Sequence, residues 1–381
     1  MALYQVGLLG DVSDALLQQL NKTLVAMVTP LGLAGEIEVV ATPVGYDPRN
    51  DFASVALYFG AEGLAADEAA LMKLMREGTP VVPVVPDLKK FSKMVPDCLR
   101  AINGMELSAS DVEFLRPASL AMEILGLLPR QRRIFLSYKR TESTEAALQL
   151  FEYLTSLKFD VFLDTHGVPP GDDFQEVLWQ RLSDSDVLVM LDTASYFDSR
   201  WTRQEFGHAL AKSLVPLRLG WPGVAQSPRS HAAESLQFGA DDFEDGGKRL
   251  KTAALDSAGL AIERARSRGI ALRSSEINNA VIVAAHKIDG KFLALGPKRT
   301  IVVELYSKHK VLIYPSVGVP TAEHLHEASM MQVDGSRAVV FDDSGVGRRW
   351  QHHLEWLSSQ VSSARLMRKG HAAWDLAALE P

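Results

Sequence analysis

The chain has 381 residues, of which 47% are hydrophobic and 23% charged, and its formal net charge is −7. This length allows two or three domains of ordinary globular composition. The negative balance argues against general affinity for DNA, RNA or an anionic membrane, so we expect no direct nucleic-acid binding. The only cysteine, Cys98, excludes an intramolecular disulfide framework and a cysteine-rich zinc site, and it suits a reducing cytoplasm.

The N-terminal segment and the apolar runs also indicate a cytoplasmic protein. MALYQVGLLGDVSDALLQQL lacks the basic start and the long apolar core of a signal peptide. No uninterrupted apolar run approaches the roughly 20 residues that span a bilayer. We therefore expect no membrane partner.

Residues 1–128 alternate strand and helix patterns. The strand candidates are LYQVGLLG, EIEVVATP, SVALYFG and PVVPVV, and the helix candidates are DVSDALLQQLNKTLVAMV, ADEAALMKLMREG and ASDVEFLRPASLAMEILGLL. This alternation predicts a Rossmann-like α/β domain, with helices on the faces of a parallel sheet. Gly7 to Gly10 lacks both the GxGxxG pattern and a Walker lysine, which favours a tight turn over a phosphate loop.

Residues 131–220 show the same alternation of strand and helix patterns, with four short strands. The strands are RIFLSY, FDVFLD, DVLVMLD and LVPLRLG, and the helices are TEAALQLFEYLTSL, DFQEVLWQRLSDS and WTRQEFGHALAKSL. They predict a compact, flavodoxin-like unit, in which ligands bind at the carboxyl ends of the strands. Ser137, Tyr138, Lys139 and Arg140 follow the first strand and Asp164 ends the second, so these five are candidate substrate-binding residues.

Trp201 and Glu205 form a further candidate pair. They are four residues apart in a helical pattern, so an indole and a carboxylate share one helix face. A carboxylate can stabilise positive charge on a sugar carbon or orient a ribose hydroxyl, and an indole can stack on a flat cationic ring. The same spacing also describes a solvated glutamate beside a tryptophan that anchors a core.

Three segments, taken in order, resemble one known family. FLSYKR, then FDVFLD with its Gly/Pro loop, then SDSDVLVMLDTASYFDSRWTRQEF resemble the Toll/interleukin-1 receptor (TIR) domain in its bacterial, NAD+-cleaving form. The resemblance covers residues 131–220. It implies a parallel five-stranded flavodoxin-like sheet and a loop, Thr165 to Asp173, that mediates contacts between TIR domains.

The resemblance also implies roles for individual residues. Glu205 matches the glutamate that cleaves the nicotinamide–ribose bond of NAD+, and Ser199 and Trp201 keep the register of its motif, whereas the spacing from Ser195 to Phe197 is one residue shorter. NAD+ is then a substrate, and no cofactor is expected.

The first-strand residues carry over with alternatives left open. Ser137, Tyr138 and Arg140 match the strand end that lines the nucleotide pocket. Asp164 matches the acidic residue that ends the second strand, with a cap or loop hydrogen bond as its alternative. Lys139 is either a phosphate contact or an exposed lysine.

The remaining residues predict a connector with a helix, 221–270, and a third α/β domain, 271–381. AVIVAAHKIDGKFLALG predicts a hairpin around Asp289-Gly290. Arg264, Arg266 and Arg268 are expected at an exposed helix end. Histidine pairs such as 324 with 326 and 352 with 353 are usually solvated, so we expect no metal site.

The sequence thus predicts an α/β protein with a central TIR domain between two further α/β domains. The first functional hypothesis is an NAD+ hydrolase or cyclase of bacterial anti-phage immunity, activated by self-association of TIR domains. The flanking domains would regulate it through oligomerisation, a protein partner or a nucleotide activator. The alternatives are a non-enzymatic signalling scaffold and a pathogen effector that interferes with host TIR signalling.

Overall fold

The computed structural model describes residues 2–41, 48, 52–63, 68–107, 111, 113–163, 172–344 and 346–380, with backbone alone for residues 172–177. The chain forms two compact units. Unit 1 combines residues 1–127, 271–343 and 349–381, and unit 2 contains residues 128–270 and 344–348. The regions predicted as the first and last α/β domains therefore share one unit. None of the described helices is long and apolar enough to cross a membrane.

The amino-terminal part of unit 1 is a parallel sheet with flanking helices, as predicted. Its elements are β1 (Tyr4–Gly10), α1 (Asp14–Val28), β2 (Ile37–Ala41), β3 (Ser54–Phe59), α2 (Glu68–Arg76), β4 (Val81–Val85), α3 (Phe91–Met94), β5 (Met105–Glu106) and α4 (Leu115–Ile124). Among the described residues the strand order is β2-β1-β3-β4-β5, and each pair is parallel. β3 and β4 are buried throughout because uninterrupted apolar runs can be covered on both faces.

Gly10 ends β1 for a steric reason. Its φ is +82°, and a Cβ there would lie 2.2 Å from the carbonyl oxygen of Phe59. A larger residue would have to displace β3, so the chain can turn at this point only with glycine.

Unit 2 contains a second parallel sheet. Its elements are β6 (Arg133–Ser137), α5 (Arg140–Ser156), β7 (Asp160–Leu163), α6 (Asp172–Asp184), β8 (Val187–Asp192), α7 (Arg200–Ala211), β9 (Val215–Gly220), β10 (Glu234–Gln237), β11 (Phe243–Glu244), β12 (Arg249–Leu250) and α8 (Thr252–His286). Within the described part of the unit, the order is β10-β9-β8-β6-β7 and every pair is parallel. Apolar clusters cover both faces of this sheet, as the flavodoxin-like prediction requires.

One strand of this sheet comes from the predicted connector. β10 pairs with β9, and Arg218 of β9 donates hydrogen bonds to Ser235 Oγ at 3.1 Å and Gln237 Oε1 at 2.8 Å. The segment Glu-Ser-Leu-Gln has a single apolar residue, so its sequence carries no strand pattern. The sheet therefore extends beyond residue 220, where the sequence analysis ended the TIR domain.

The predicted hairpin around Asp289-Gly290 is wrong in its first arm. Residues 280–286 belong to α8, which contains the boundary between the two units at residue 270. A short buried apolar run fits a helix as well as a strand, so periodicity could not decide. The turn itself is present, with Asp289 at φ +57°, and it leads from α8 into the next strand.

The carboxyl-terminal part of unit 1 contributes a mixed sheet. Its elements are β13 (Lys291–Leu295), β14 (Ile301–Glu304), β15 (Lys310–Ser316), α9 (Ala322–Met330), β16 (Gly335–Phe341), α10 (Arg348–Gln360), β17 (Arg365–Arg368) and α11 (Ala372–Ala377). In the described chain β13, β14 and β15 are antiparallel neighbours, and β16 and β17 continue the sheet in parallel. One apolar core joins both sheets of unit 1 and includes Tyr58 and Val302.

Candidate active site

The candidate site lies at the carboxyl ends of two neighbouring strands of unit 2. β6 ends at Ser137, which lies opposite Met190 of β8. After β8 a short 3₁₀ turn, Tyr196–Asp198, leads into α7. The Ser199 side chain caps α7 by accepting a hydrogen bond from the Trp201 amide at 3.2 Å. This cap fixes the start of the helix that carries both Trp201 and Glu205.

A buried chain of hydrogen bonds joins Glu205 to two hydroxyl groups. Ser137 Oγ lies 2.5 Å from Glu205 Oε2 and 2.7 Å from Tyr196 Oη. Burial, together with the nearby charge of Glu205, holds the pKa of Tyr196 well above its ordinary value. The phenol therefore stays protonated and donates to Ser137, which in turn donates to the carboxylate. The Glu205 side chain is thus fixed by neighbours from β6 and from the turn after β8.

Lys139 lies beside this chain but is engaged within the domain. Its Nζ donates to the Ser195 carbonyl oxygen at 2.9 Å and to Ser195 Oγ at 2.7 Å. The ammonium also lies 3.9 Å from Glu142 Oε1. These contacts hold the residue directly before Tyr196. A phosphate contact from Lys139 stays a prediction.

Glu142 completes the support of the same turn. It accepts hydrogen bonds from the amide of Ser195 at 3.2 Å and from Ser195 Oγ. Partial burial acts to raise its pKa, but the hydrogen bonds from Ser195 and the nearby charge of Lys139 outweigh burial and lower the pKa. The carboxylate is therefore kept charged next to Lys139.

The other predicted site residues are exposed, half-buried or outside the described residues. Trp201 is 47% exposed, so it is no core anchor, and its indole is available for stacking. Tyr138 is half-buried and Arg140 is exposed at the start of α5. Asp164 lies outside the described residues, as does the predicted contact loop, Thr165 to Asp173, up to residue 171; residues 172 and 173 belong to α6. Their assignments stay predictions.

Sequence reasoning missed two buried groups near the carboxyl end of β8. Tyr196 lies between motif positions, and only its contact with Ser137 gives it a role. Asp192, at the end of β8, pairs with Arg218 Nε at 2.5 Å, and both side chains are buried. Arg218 also donates to the Val224 carbonyl oxygen at 2.9 Å, so it clamps the loop after β9. The signal was an arginine inside an otherwise apolar strand, which requires a buried partner.

No group of three or more His, Cys, Asp or Glu side chains among the described residues is arranged to hold a metal ion.

The comparisons with known proteins agree with this geometry. Residues 134–251 match the family model of the TIR domain. No curated protein matches the chain. The matched range begins in β6 and ends just after β12, so it contains Ser137, Tyr196 and Glu205 together with the added strand β10. The central part of this chain, residues 134–251, is a TIR domain.

Proposed function

We propose that this TIR domain cleaves the nicotinamide–ribose bond of NAD+, with Glu205 as the catalytic carboxylate. The observation that carries the proposal is the placement of Glu205. Its carboxylate is held by the Tyr196–Ser137 hydrogen-bond chain at the carboxyl edge of a parallel sheet, where ligands of such folds bind. One helical turn away, the half-exposed indole of Trp201 offers a flat surface.

The proposed chemistry begins with loss of a neutral leaving group. Breaking the bond returns its electron pair to the nicotinamide ring nitrogen and leaves positive charge on the ribose C1′ and ring oxygen. The Glu205 carboxylate stabilises that charge, and a carboxylate with 4% exposure acts more strongly than one in bulk water. Trp201 stacks on the cationic nicotinamide ring of the substrate.

The fate of the sugar cation sets the product. Water attacking C1′ and losing a proton gives ADP-ribose, and an adenine nitrogen attacking C1′ gives a cyclic isomer. Ser137, Tyr138 and Arg140 are proposed to position the rest of the dinucleotide, and Asp164 is proposed to join them. Lys139 is proposed to act through the turn that its ammonium holds at Ser195.

We propose that the activity is regulated and serves bacterial immunity against phage. An enzyme that drains NAD+ has to be inactive until it is needed. Self-association of TIR domains would complete the site, and unit 1 would respond to a protein partner or a nucleotide. The single cysteine fits the proposed cytoplasmic setting.

One observation favours the alternative of a non-enzymatic scaffold. Glu205 is buried and hydrogen-bonded, which is also the environment of a glutamate with a purely structural role. A scaffold, or an effector that interferes with host TIR signalling, would bind other TIR domains without NAD+ turnover.

Turnover of NAD+ by the full-length protein tests the proposal. Purified protein is incubated with NAD+, with and without a crowding agent, and nicotinamide, ADP-ribose and its cyclic isomer are separated by chromatography. We expect Glu205→Gln to reduce turnover about 100-fold or more, as loss of a main transition-state contact does. The matched control is Glu152→Gln, an exposed glutamate on α5, which should leave turnover unchanged.

Two results would contradict the proposal in different ways. No turnover in either condition would favour the scaffold. Turnover that survives Glu205→Gln would keep the activity and reject the assignment of the catalytic residue.

A further inference from the structure

Unit 1 contains a cavity of about 230 Å³ at the amino ends of β3 and β4. Ser54 begins β3, Thr79 precedes β4, and both line the cavity together with Arg76 at the end of α2. The second half of α8 contributes Ser275 and Asn279. The lining therefore combines hydroxyl and amide groups with a cation, all within one unit.

Arg299 also lines this cavity, and it is a buried cation. It is 8% exposed, and its Nε donates to the Ile124 carbonyl oxygen at 3.4 Å. Within the described chain its buried Nη2 has no hydrogen-bond partner. Burial lowers the pKa of this guanidinium to about 10. A buried guanidinium without a carboxylate is costly, so this group is placed to receive an anion.

The neighbouring residue shows the contrast. Lys298 Nζ lies 3.1 Å from Glu123 Oε1 and 3.3 Å from Glu327 Oε2, so the chain itself neutralises that cation. The turn that carries both residues thus has one cation paired by protein carboxylates and one, Arg299, that lines the cavity and has no ion pair in the described chain.

Asn278 adds a second buried polar group on the same side. Its side chain is 4% exposed, and neither amide atom has a hydrogen-bond partner in the described part of the chain. Its Nδ2 would lie 3.8 Å from a Cβ built on Gly78, a residue that lines the cavity. Buried amides are nearly always hydrogen-bonded, so this one points to a ligand or ordered water that bridges it.

We propose that this cavity binds the phosphate group of a small molecule, with Arg299 as its main contact. A guanidinium fork matches phosphate oxygens, and hydrogen bonds to a charged group are the strong ones. Ser54 Oγ and Thr79 Oγ1 lie 3.1 Å apart, so one hydroxyl donates to the other and the second keeps its proton for the anion. The cavity is below the ~300–1,000 Å³ of sites for drug-sized ligands, which favours a single phosphate group over a whole dinucleotide.

The charges at the opening are consistent with this ligand class. Arg76 is exposed at the cavity wall and adds a second cation. Glu77 also lines the cavity, and its Oε1 lies 3.9 Å from Lys73 Nζ, which offsets its charge. Phosphate can reach the site as the free ion or as the end of a phosphate ester, and both present the same chemistry to Arg299.

Titration calorimetry on the full-length protein at constant ionic strength tests the site. The probes are inorganic phosphate, AMP and adenosine. We expect phosphate and AMP to bind and adenosine to bind at least tenfold more weakly than AMP. Tighter binding of AMP than of phosphate would assign the ester, and the reverse order would assign the free ion.

Variants locate the contact. We expect Arg299→Gln to weaken binding of both anions about tenfold or more, the loss that follows from one charge-assisted hydrogen bond. Lys298→Gln is the matched control and should leave binding unchanged. If Arg299→Gln does not fold, Arg76→Gln at the exposed opening should weaken binding severalfold. The site is rejected if neither anion binds below about 10 mM, if adenosine binds as tightly as AMP, or if the folded arginine variants bind like wild type.

Discussion

Ser137→Ala isolates the contribution of the hydrogen-bond chain to the candidate active site. The change removes the hydroxyl that lies 2.5 Å from Glu205 and 2.7 Å from Tyr196, all three groups being buried. It leaves a buried carboxylate one donor short, which costs about 1.5–3 kcal/mol. If Glu205 acts in turnover, the same loss of positioning should slow turnover by about 10- to 150-fold.

The matched control is Ser185→Ala, which removes an equally buried serine hydroxyl at the other end of the sheet. Ser185 Oγ donates to the Arg181 carbonyl oxygen at 2.8 Å, just before β8 begins. It lies about 20 Å from the carboxyl end of that strand, at the usual rise of a β-strand. We expect it to cost about 1 kcal/mol of unfolding free energy and to leave turnover unchanged.

Two measurements on each variant complete the test. Urea titration gives the free energy of unfolding, and NAD+ turnover is expressed per folded molecule. The reasoning is refuted if the two serine variants turn over NAD+ equally well per folded molecule, because the hydroxyl of Ser137 would then have only a structural role.

Three further predictions concern buried or partly buried ionisable groups. The stability of unit 2 should fall as the pH rises above about 10, because tyrosine ionises in the unfolded chain while Tyr196 stays protonated in the fold. Burial, first, and then the charge of Glu205 keep it protonated. Tyr196→Phe should make the free energy of unfolding, measured by urea titration, less dependent on pH, and an unchanged pH dependence would contradict the prediction. Glu263→Gln should lower the free energy of unfolding by about 3–5 kcal/mol because it breaks a buried ion-pair network, whereas Glu145→Gln, at an exposed pair, should lower it by less than about 1 kcal/mol. Hydrogen exchange measures the protection of unit 2 in both variants, and equal losses of protection would be inconsistent with a buried network. Cys98 should react with iodoacetamide at pH 8 about 100-fold or more slowly than free cysteine, because burial and then the charge of Glu68 raise the pKa of its thiol to about 12. Rapid alkylation of the folded protein would contradict this prediction.

The sequence predicted the strands that are built around a buried apolar run. β3, β4 and β8 are buried throughout, β6 is buried except at Arg133, and each stands out as an apolar run in the sequence. β10 has only one apolar residue; it pairs with β9 at the edge of the sheet, and Arg218 donates a hydrogen bond to its Ser235. Edge strands that depend on side-chain hydrogen bonds leave no pattern in the sequence.

The same limit applies to charged residues. Arg266 was expected at an exposed helix end, and this prediction is wrong: the side chain is fully buried. Its guanidinium lies 2.8 Å from Glu263 Oε1 and 3.2 Å from Asp186 Oδ2, a residue 80 positions away along the chain. Helical spacing could suggest the contact with Glu263, but no local pattern brings Asp186 to the same place.

The candidate site divides in the same way. Ser137 was proposed because it follows a predicted strand, and Glu205 because it shares a helix face with Trp201 and matches the glutamate that the resemblance to the TIR family implies. Tyr196 was not found, because its role depends on a contact with Ser137, 59 positions earlier. Residue type and position therefore indicated the candidate groups, whereas the fold was needed to find the buried phenol that is hydrogen-bonded to Ser137.

Lys139 offers a test of that distinction. As a substrate contact it would bind phosphate, and Lys139→Met would raise the KM for NAD+ while leaving kcat nearly unchanged. The structure shows its ammonium bonded to the Ser195 carbonyl and hydroxyl oxygens, directly before Tyr196. Loss of those two bonds frees the turn that holds the phenol against Ser137. We therefore expect Lys139→Met to lower kcat by about tenfold, in the manner of a positioning residue, with the larger change in kcat. A variant altered only in KM would return Lys139 to the role of a phosphate contact.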